Sequence, residues 1–80
     1  VAVLRLFASA REAAGTARDV VPGDTLAAVL DEARRRYGSG FDQVLSSCRV
    51  WVNGDEVSPD TAVGDTDEVA VLPPVSGGST

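Results

Sequence analysis

The sequence has no histidine and no lysine, and its only thiol is Cys48. One cysteine cannot close an internal disulfide or hold an iron–sulfur cluster, and without histidine no Cys/His zinc set can be assembled. The same absence removes Ser-His and Cys-His nucleophile pairs. Without lysine there is no internal Schiff base and no side-chain amine to accept an isopeptide bond. No glycine-rich phosphate loop precedes a helix, so the chain supplies neither a nucleotide site nor a base of its own. The expected compartment is the cytosol.

Positive charge is scarce as well. Seven arginines stand against twelve carboxylates, a net charge of −5, with no basic stripe to track a phosphate backbone. Nucleic acid is therefore not an expected partner, and neither is an anionic membrane surface. The longest apolar runs are far too short to cross a bilayer, and no signal peptide is expected ahead of the first strand. What is present suffices for a fold. A hydrophobic content of 44%, with charge spread along the chain, indicates one folded domain. It is small enough that every apolar face must be used, and no internal repeat divides it.

Val1–Ala8 (VAVLRLFA) is rich in β-formers and predicts a strand with Ala2, Leu4 and Leu6 on one face and Val3, Arg5 and Phe7 on the other. Ser9–Gly15 predicts a turn or two of helix, with Ser9 as N-cap, Glu12 at capping-box spacing and Gly15 as terminator. Ala17–Val21 is a second strand, closed by Pro22-Gly23. Asp24 or Thr25 caps the main helix, whose stripe is Leu26, Val29, Leu30, Ala33 and Tyr37 and whose end is Gly38. Arg34, Arg35 and Arg36 fill its last turn and read as a complement to the helix dipole on a solvated face, not as an anion site. Phe41, Val44 and Leu45 form a short turn under that helix. Cys48–Val52 is a strand, Asn53-Gly54 a hairpin turn and Asp55–Val57 the returning strand. Ser58–Val63 is a connection with one helical turn, and Glu68–Leu72 is the terminal strand.

This order predicts an α+β fold of the β-grasp (ubiquitin-like) type, a mixed sheet of four to five strands with one main helix packed on one face. A ferredoxin-like arrangement would need a second long helix, which the sequence lacks. Residues 1–72 form the domain and 73–80 (PPVSGGST) a flexible tail carrying the Gly-Gly, because two prolines stop the strand ladder. If Leu4, Leu6, Val50, Val52, Val69 and Val71 face the helix, then Arg5, Phe7, Arg49, Trp51, Ala70 and Leu72 face outward. Phe7, Trp51 and Leu72 would then make an apolar patch rimmed by arginine, the composition of a partner-binding surface, unless the first helical turn or the tail folds over it. Cys48 shares the inward face with Val50 and reads as an inert core thiol.

Four segments, LFASAREAAG (Leu6–Gly15), GDTL (Gly23–Leu26), VNGDEV (Val52–Val57) and DEVAVLPPVSGG (Asp67–Gly78), together resemble the small, sulfur-carrying subunits of molybdopterin synthase. These are ubiquitin-like members of the bacterial sulfur-carrier family. The resemblance runs nearly end to end, and Gly-Gly after Pro-Pro is its most specific part. It implies that the carboxylate of Gly78, reached through Gly77, is the working group. An adenylating, ubiquitin-activating-like enzyme would use ATP to activate it, and the product would be a thiocarboxylate. Its sulfur would pass to a pyranopterin precursor in molybdenum-cofactor biosynthesis. The chain would then be no enzyme by itself, bind no cofactor or metal, and serve as the sulfur-donating subunit of molybdopterin synthase. Its second partner would be the large subunit of that synthase, in a heterotetramer. Phe7, Trp51, Leu72, Pro74, Val75 and Arg11 are the contact residues the resemblance implies.

The tail's chemistry suits that role. Two glycines thread a narrow channel and accept any backbone angles a partner's site requires. Pro73-Pro74 favours an extended start, and the reach from Pro73 to Gly78 is at most about 20 Å. Two departures from the family pattern stand out. Ser79 and Thr80 follow Gly78, so loading requires their removal; they are a precursor's extension, a remnant of cloning, or the mark of a carrier that has lost the chemistry. The family also often has aromatic residues where Val71 and Leu72 stand. The same tail suits a carrier for cysteine, thiamine or another sulfur metabolite, a ubiquitin-like modifier joined through Gly78 to lysines of other proteins, or a β-grasp interaction module whose tail is idle.

Overall fold

Alternation in the first and last strands builds the middle of the sheet. The structure, a computed structural model, describes residues 1–73. Strand β1 (Ala2–Leu6) buries Ala2, Leu4 and Leu6, and strand β5 (Glu68–Leu72) buries Val69 and Val71. The two lie side by side in parallel, Leu4 opposite Val69 and Leu6 opposite Val71, so their apolar faces coincide. Strand β2 (Arg18–Val21) pairs antiparallel with β1, and β3 (Arg49–Val52) pairs antiparallel with β5. The two-residue β4 (Asp55–Glu56) completes the order β2-β1-β5-β3-β4. A central parallel pair with an antiparallel strand on each side is the β-grasp arrangement.

Three helices cover one face of this sheet. Helix α2 (Leu26–Tyr37) buries Leu26, Val29, Leu30 and Ala33, the stripe its spacing predicts. Thr25 caps it, its hydroxyl accepting from the Ala28 N–H at 3.2 Å, and the Gly38 N–H closes it on the Arg34 carbonyl. Phe41 and Leu45 are buried from α3 (Ser39–Leu45), with the Phe41 ring edge-on to Tyr37 at 5.1 Å between centroids. The expected short turn is thus a seven-residue helix. Helix α1 (Ala8–Ala14) buries Ala10 on the same side and packs on α3, so among the described residues no helix covers the opposite sheet face. At its end Gly15 adopts the left-handed conformation that the terminator role needs (φ 78°).

Other departures from expectation have local causes. The first strand is shorter than Val1–Ala8, because the chain turns into α1 directly after Phe7. Ser9 is not the N-cap: Phe7 occupies that position with no side-chain cap, and Ala8 takes a positive φ of 51°. Ser58–Val63 makes one hydrogen-bonded turn, the Thr61 N–H donating to the Ser58 carbonyl at 3.0 Å, but no helix. Its Pro59 and Thr61 carbonyls serve α2, accepting from the Ala27 and Leu26 N–H groups, which satisfies amide groups that a helix start leaves without partners. Ala62 meanwhile forms an isolated bridge with Thr25.

The hairpin turn at Asn53-Gly54 has both residues at positive φ (53° and 87°), as a type I′ turn requires. Asn53 also ties the hairpin to β5: its side-chain amide donates to Asp67 and its oxygen accepts the Glu68 N–H, both at 2.9 Å. The arginine triplet is fully paired, Arg34 with Asp31 and Asp42, Arg35 with Glu32, and Arg36 with Glu32 and Asp19. Bonds from Arg35 and Arg36 hold the Glu32 carboxyl down to about 2. Of the tail expected over 73–80, only Pro73 falls within the described residues.

Candidate functional site

The face of the sheet away from the helices carries the candidate site. Register places Arg5, Ala70 and Trp51 in one row across it, with Leu72 and Arg49 opposite each other in the next. Phe7 follows β1 beside Leu72, its N–H donating to the Val71 carbonyl. Phe7, Ala8, Arg49, Trp51, Leu72 and Pro73 line one hollow of about 390 Å³ whose walls are almost wholly apolar. Phe7 and Trp51 are each 38% exposed, and Leu72 and Pro73 are half-buried. Three aromatic or aliphatic side chains left this open on one face cost hydration that the domain alone does not recover, which is the usual mark of a contact surface.

Arginines frame the hollow. The Arg5 guanidinium lies 5.7 Å from the centroid of the Phe7 ring and pairs with Glu68 at 3.3 Å. Arg49 pairs with Glu56 at 2.9 Å across the β3–β4 hairpin. These exposed pairs orient side chains more than they stabilise the fold. Among the described residues no nucleophile or general base lines the hollow, and its apolar walls suit recognition. Among the described residues no cluster of His, Cys, Asp and Glu could hold a metal ion, and no helix is long and apolar enough to cross a membrane.

The site residues named from the sequence divide into two groups. Phe7, Trp51 and Leu72 come together in the hollow. Arg11 is exposed on α1, one turn beyond Ala8, and makes no ion pair among the described residues. Pro74, Val75, Gly77 and Gly78, with Ser79 and Thr80, lie outside the described residues. Ala8 and Pro73 also line the hollow and were not singled out by the sequence. Strand alternation would put Pro73, the neighbour of Leu72, on the opposite face, and nothing in the sequence marks an alanine at position 8.

A second cavity, about 440 Å³, opens on the helix side between α2, the end of α3 and the β3–β4 hairpin. It is lined in part by Cys48, a half-buried thiol whose pKa burial pushes up, the opposite of what a reactive cysteine needs.

Residues 4–78 match the model of the ThiS family. A molybdopterin synthase sulfur carrier subunit from Pyrenophora tritici-repentis (strain Pt-1C-BFP) is 36% identical over 78 residues, an alignment covering 90% of this chain and 84% of that protein. Among solved structures, small archaeal modifier protein 1 from Methanosarcina acetivorans superposes with a TM-score of 0.85 at 29% identity, covering 96% of this chain and 95% of that one. The protein of the same name from Haloferax volcanii gives 0.77 at 31% identity, covering 96% and 98%. A match along nearly the whole sequence and a shared β-grasp topology lead to one conclusion: the chain belongs to the ThiS family of sulfur carriers.

Proposed function

We propose that this chain carries sulfur as a thiocarboxylate on Gly78 and donates it, as the small subunit of a molybdopterin synthase, to a pyranopterin precursor. The observation that carries the reading is the position of the apolar hollow. Leu72 and Pro73, where β5 hands the chain over to the tail, form part of its wall. A partner that grips the hollow therefore holds the root of the tail, and the tail's reach of about 20 Å suits its own active site. The molybdopterin synthase subunit among the relatives supports the choice of pathway.

The steps follow from the chemistry of a carboxylate. Once Ser79 and Thr80 are removed, the Gly78 carboxylate attacks the α-phosphorus of ATP bound to an adenylating partner, releasing pyrophosphate. Hydrosulfide or its equivalent then attacks the acyl carbon, forming a C–S bond and expelling AMP. On the large subunit, the thiocarboxylate sulfur attacks a carbon of the pterin precursor and displaces an oxygen leaving group; water then cleaves the acyl C–S bond, which leaves the sulfur on the precursor and restores the carboxylate. This chain contributes presentation: its glycines thread, and Phe7, Trp51, Leu72, Pro74, Val75 and Arg11 dock. Both partners use one face in turn, so release from the first precedes capture by the second.

Incubation of a Gly78-ending form with the adenylating enzyme, ATP and sulfide, followed by intact-mass measurement, tests the loading step. Exchange of one oxygen for one sulfur is the expected result; an unchanged mass with an enzyme active on another carrier refutes it. A second reading, a ubiquitin-like modifier, is favoured by the two small archaeal modifier structures. It predicts Gly78 conjugated to lysines of other proteins in the same assay.

A further inference from the structure

Arg18 has no role in the reading so far. It lies directly opposite Arg5 in the antiparallel β1–β2 ladder, so the two guanidinium groups rise from the same outer face. Like charges in that relation destabilise a sheet. Arg5 is relieved by Glu68 and by the Phe7 ring. Arg18 is exposed and has no such relief among the described residues. Five of the seven arginines are in ion pairs, and among the described residues Arg18 and Arg11 are the two that are not.

Protection of the sheet edge does not account for Arg18. On β2 the free backbone groups of Val20 are already occupied by side chains, its N–H by Asp19 at 2.8 Å and its carbonyl by Arg36 at 3.0 Å. A neighbouring strand is blocked there without help from position 18. In a chain of net charge −5, a cation with no ion pair among the described residues, one strand beyond Arg5 on the face that carries the apolar hollow, is therefore a local reversal of sign. Such reversals set the orientation in which a partner docks.

We propose that Arg18 pairs with a carboxylate on the protein that fills the hollow, so that this partner presents an apolar plug with an acid on its β2 side. The assignment rests on the docking role of the hollow and adds a polarity to it. Arg5, already bound to Glu68 and stacked on Phe7, holds the boundary between the apolar and charged parts of the surface.

The test titrates the adenylating enzyme into Gly78-ending protein, following Trp51, the only tryptophan, which lines the hollow. At about 0.05 M salt Arg18→Ala should weaken binding about two- to fivefold and Arg18→Glu about tenfold. Both losses should shrink at about 0.5 M salt, where exposed charges are screened. Gln43→Glu, on the helix side, gives the same net charge as Arg18→Ala and should bind as the parent does. Arg18→Ala should also melt no lower than the parent, because it removes a like-charge contact. Parent-like binding by Arg18→Ala, with Phe7→Ala weakened, overturns the role of Arg18 and leaves the hollow standing. An equal loss in Gln43→Glu reduces the effect to net charge and also overturns it. No binding by the parent chain overturns the docking role and this assignment together.

Discussion

Asp19→Asn should destabilise the domain by an amount that depends on pH. Asp19 sits on β2 with its side chain toward α2, where it accepts from the Tyr37 hydroxyl at 2.5 Å, from Arg36 at 3.1 Å and from the Val20 N–H at 2.8 Å. The amide keeps the size and one acceptor oxygen but loses the charge. A hydrogen bond to an ionised group contributes about 1.5–3 kcal/mol, and this side chain is about one-third exposed, so the loss at neutral pH should be about 1–2 kcal/mol. For a domain of this size that lowers the melting temperature by about 5–10 °C.

The pH dependence follows from the direction in which Asp19 is shifted. The Tyr37 hydroxyl first, with the Val20 amide and Arg36, holds the carboxyl below its ordinary value of 3.8 despite partial burial. A carboxylate lowered by folding contributes stability that is present above the ordinary value and is lost as pH falls through the folded one. Protonated Asp19 is nearly the same shape as asparagine, so the parent and variant curves should converge on acidification below about pH 4. Urea unfolding followed by far-ultraviolet circular dichroism at several pH values measures this. A constant gap down to the lowest accessible pH, or an Asp19→Asn variant as stable as the parent at pH 7, would refute the assignment of the network.

Gly23→Ala should destabilise by more than about 2 kcal/mol, read by the same unfolding assay: Gly23 is at φ 151°, and a Cβ there would meet the Val29 backbone nitrogen at 2.7 Å. Ala8→Gly should stabilise by about 0.5–1 kcal/mol, because an L-residue at φ 51° carries a left-handed penalty that glycine avoids; a lower melting temperature would count against that conformation. Phe7→Ala should weaken association with the adenylating enzyme by about 1–3 kcal/mol by calorimetry, and an unchanged dissociation constant removes Phe7 as an anchor. Glu32, lowered from 4.5 to about 2 by its two arginines, adds to the acid lability of the parent in the same sense, since its contribution disappears as pH falls through that range.

The sequence carried the outline of the fold where side-chain period decides it. Glu68–Leu72 alternates without interruption, and Leu26 to Tyr37 keeps one stripe through three turns, so both elements were readable to within a residue. Period fails in short segments. Ser39 and Gly40 are poor helix formers, and α3 exists because Phe41 and Leu45 reach the core, a tertiary cause that no local count includes. Ser9 has the chemistry of a cap but follows the turn at Ala8 by one position, a backbone event without a compositional mark. The division of the sheet into an inner and an outer face was legible, and with it Phe7, Trp51 and Leu72. The hollow they enclose was not, because its depth depends on where Pro73 and Ala8 close its rim. Nor was the pairing of Arg49 with Glu56, which depends on hairpin register.

The terminal strand is not at a margin of the sheet: β1 and β3 flank β5 on either side. Tension applied beyond Pro73 would load two ladders in shear at once, with no single row of bonds able to open like a zip. Under the proposed carrier role, a partner could thus draw on the segment beyond Pro73 while the body to which it is attached stays intact.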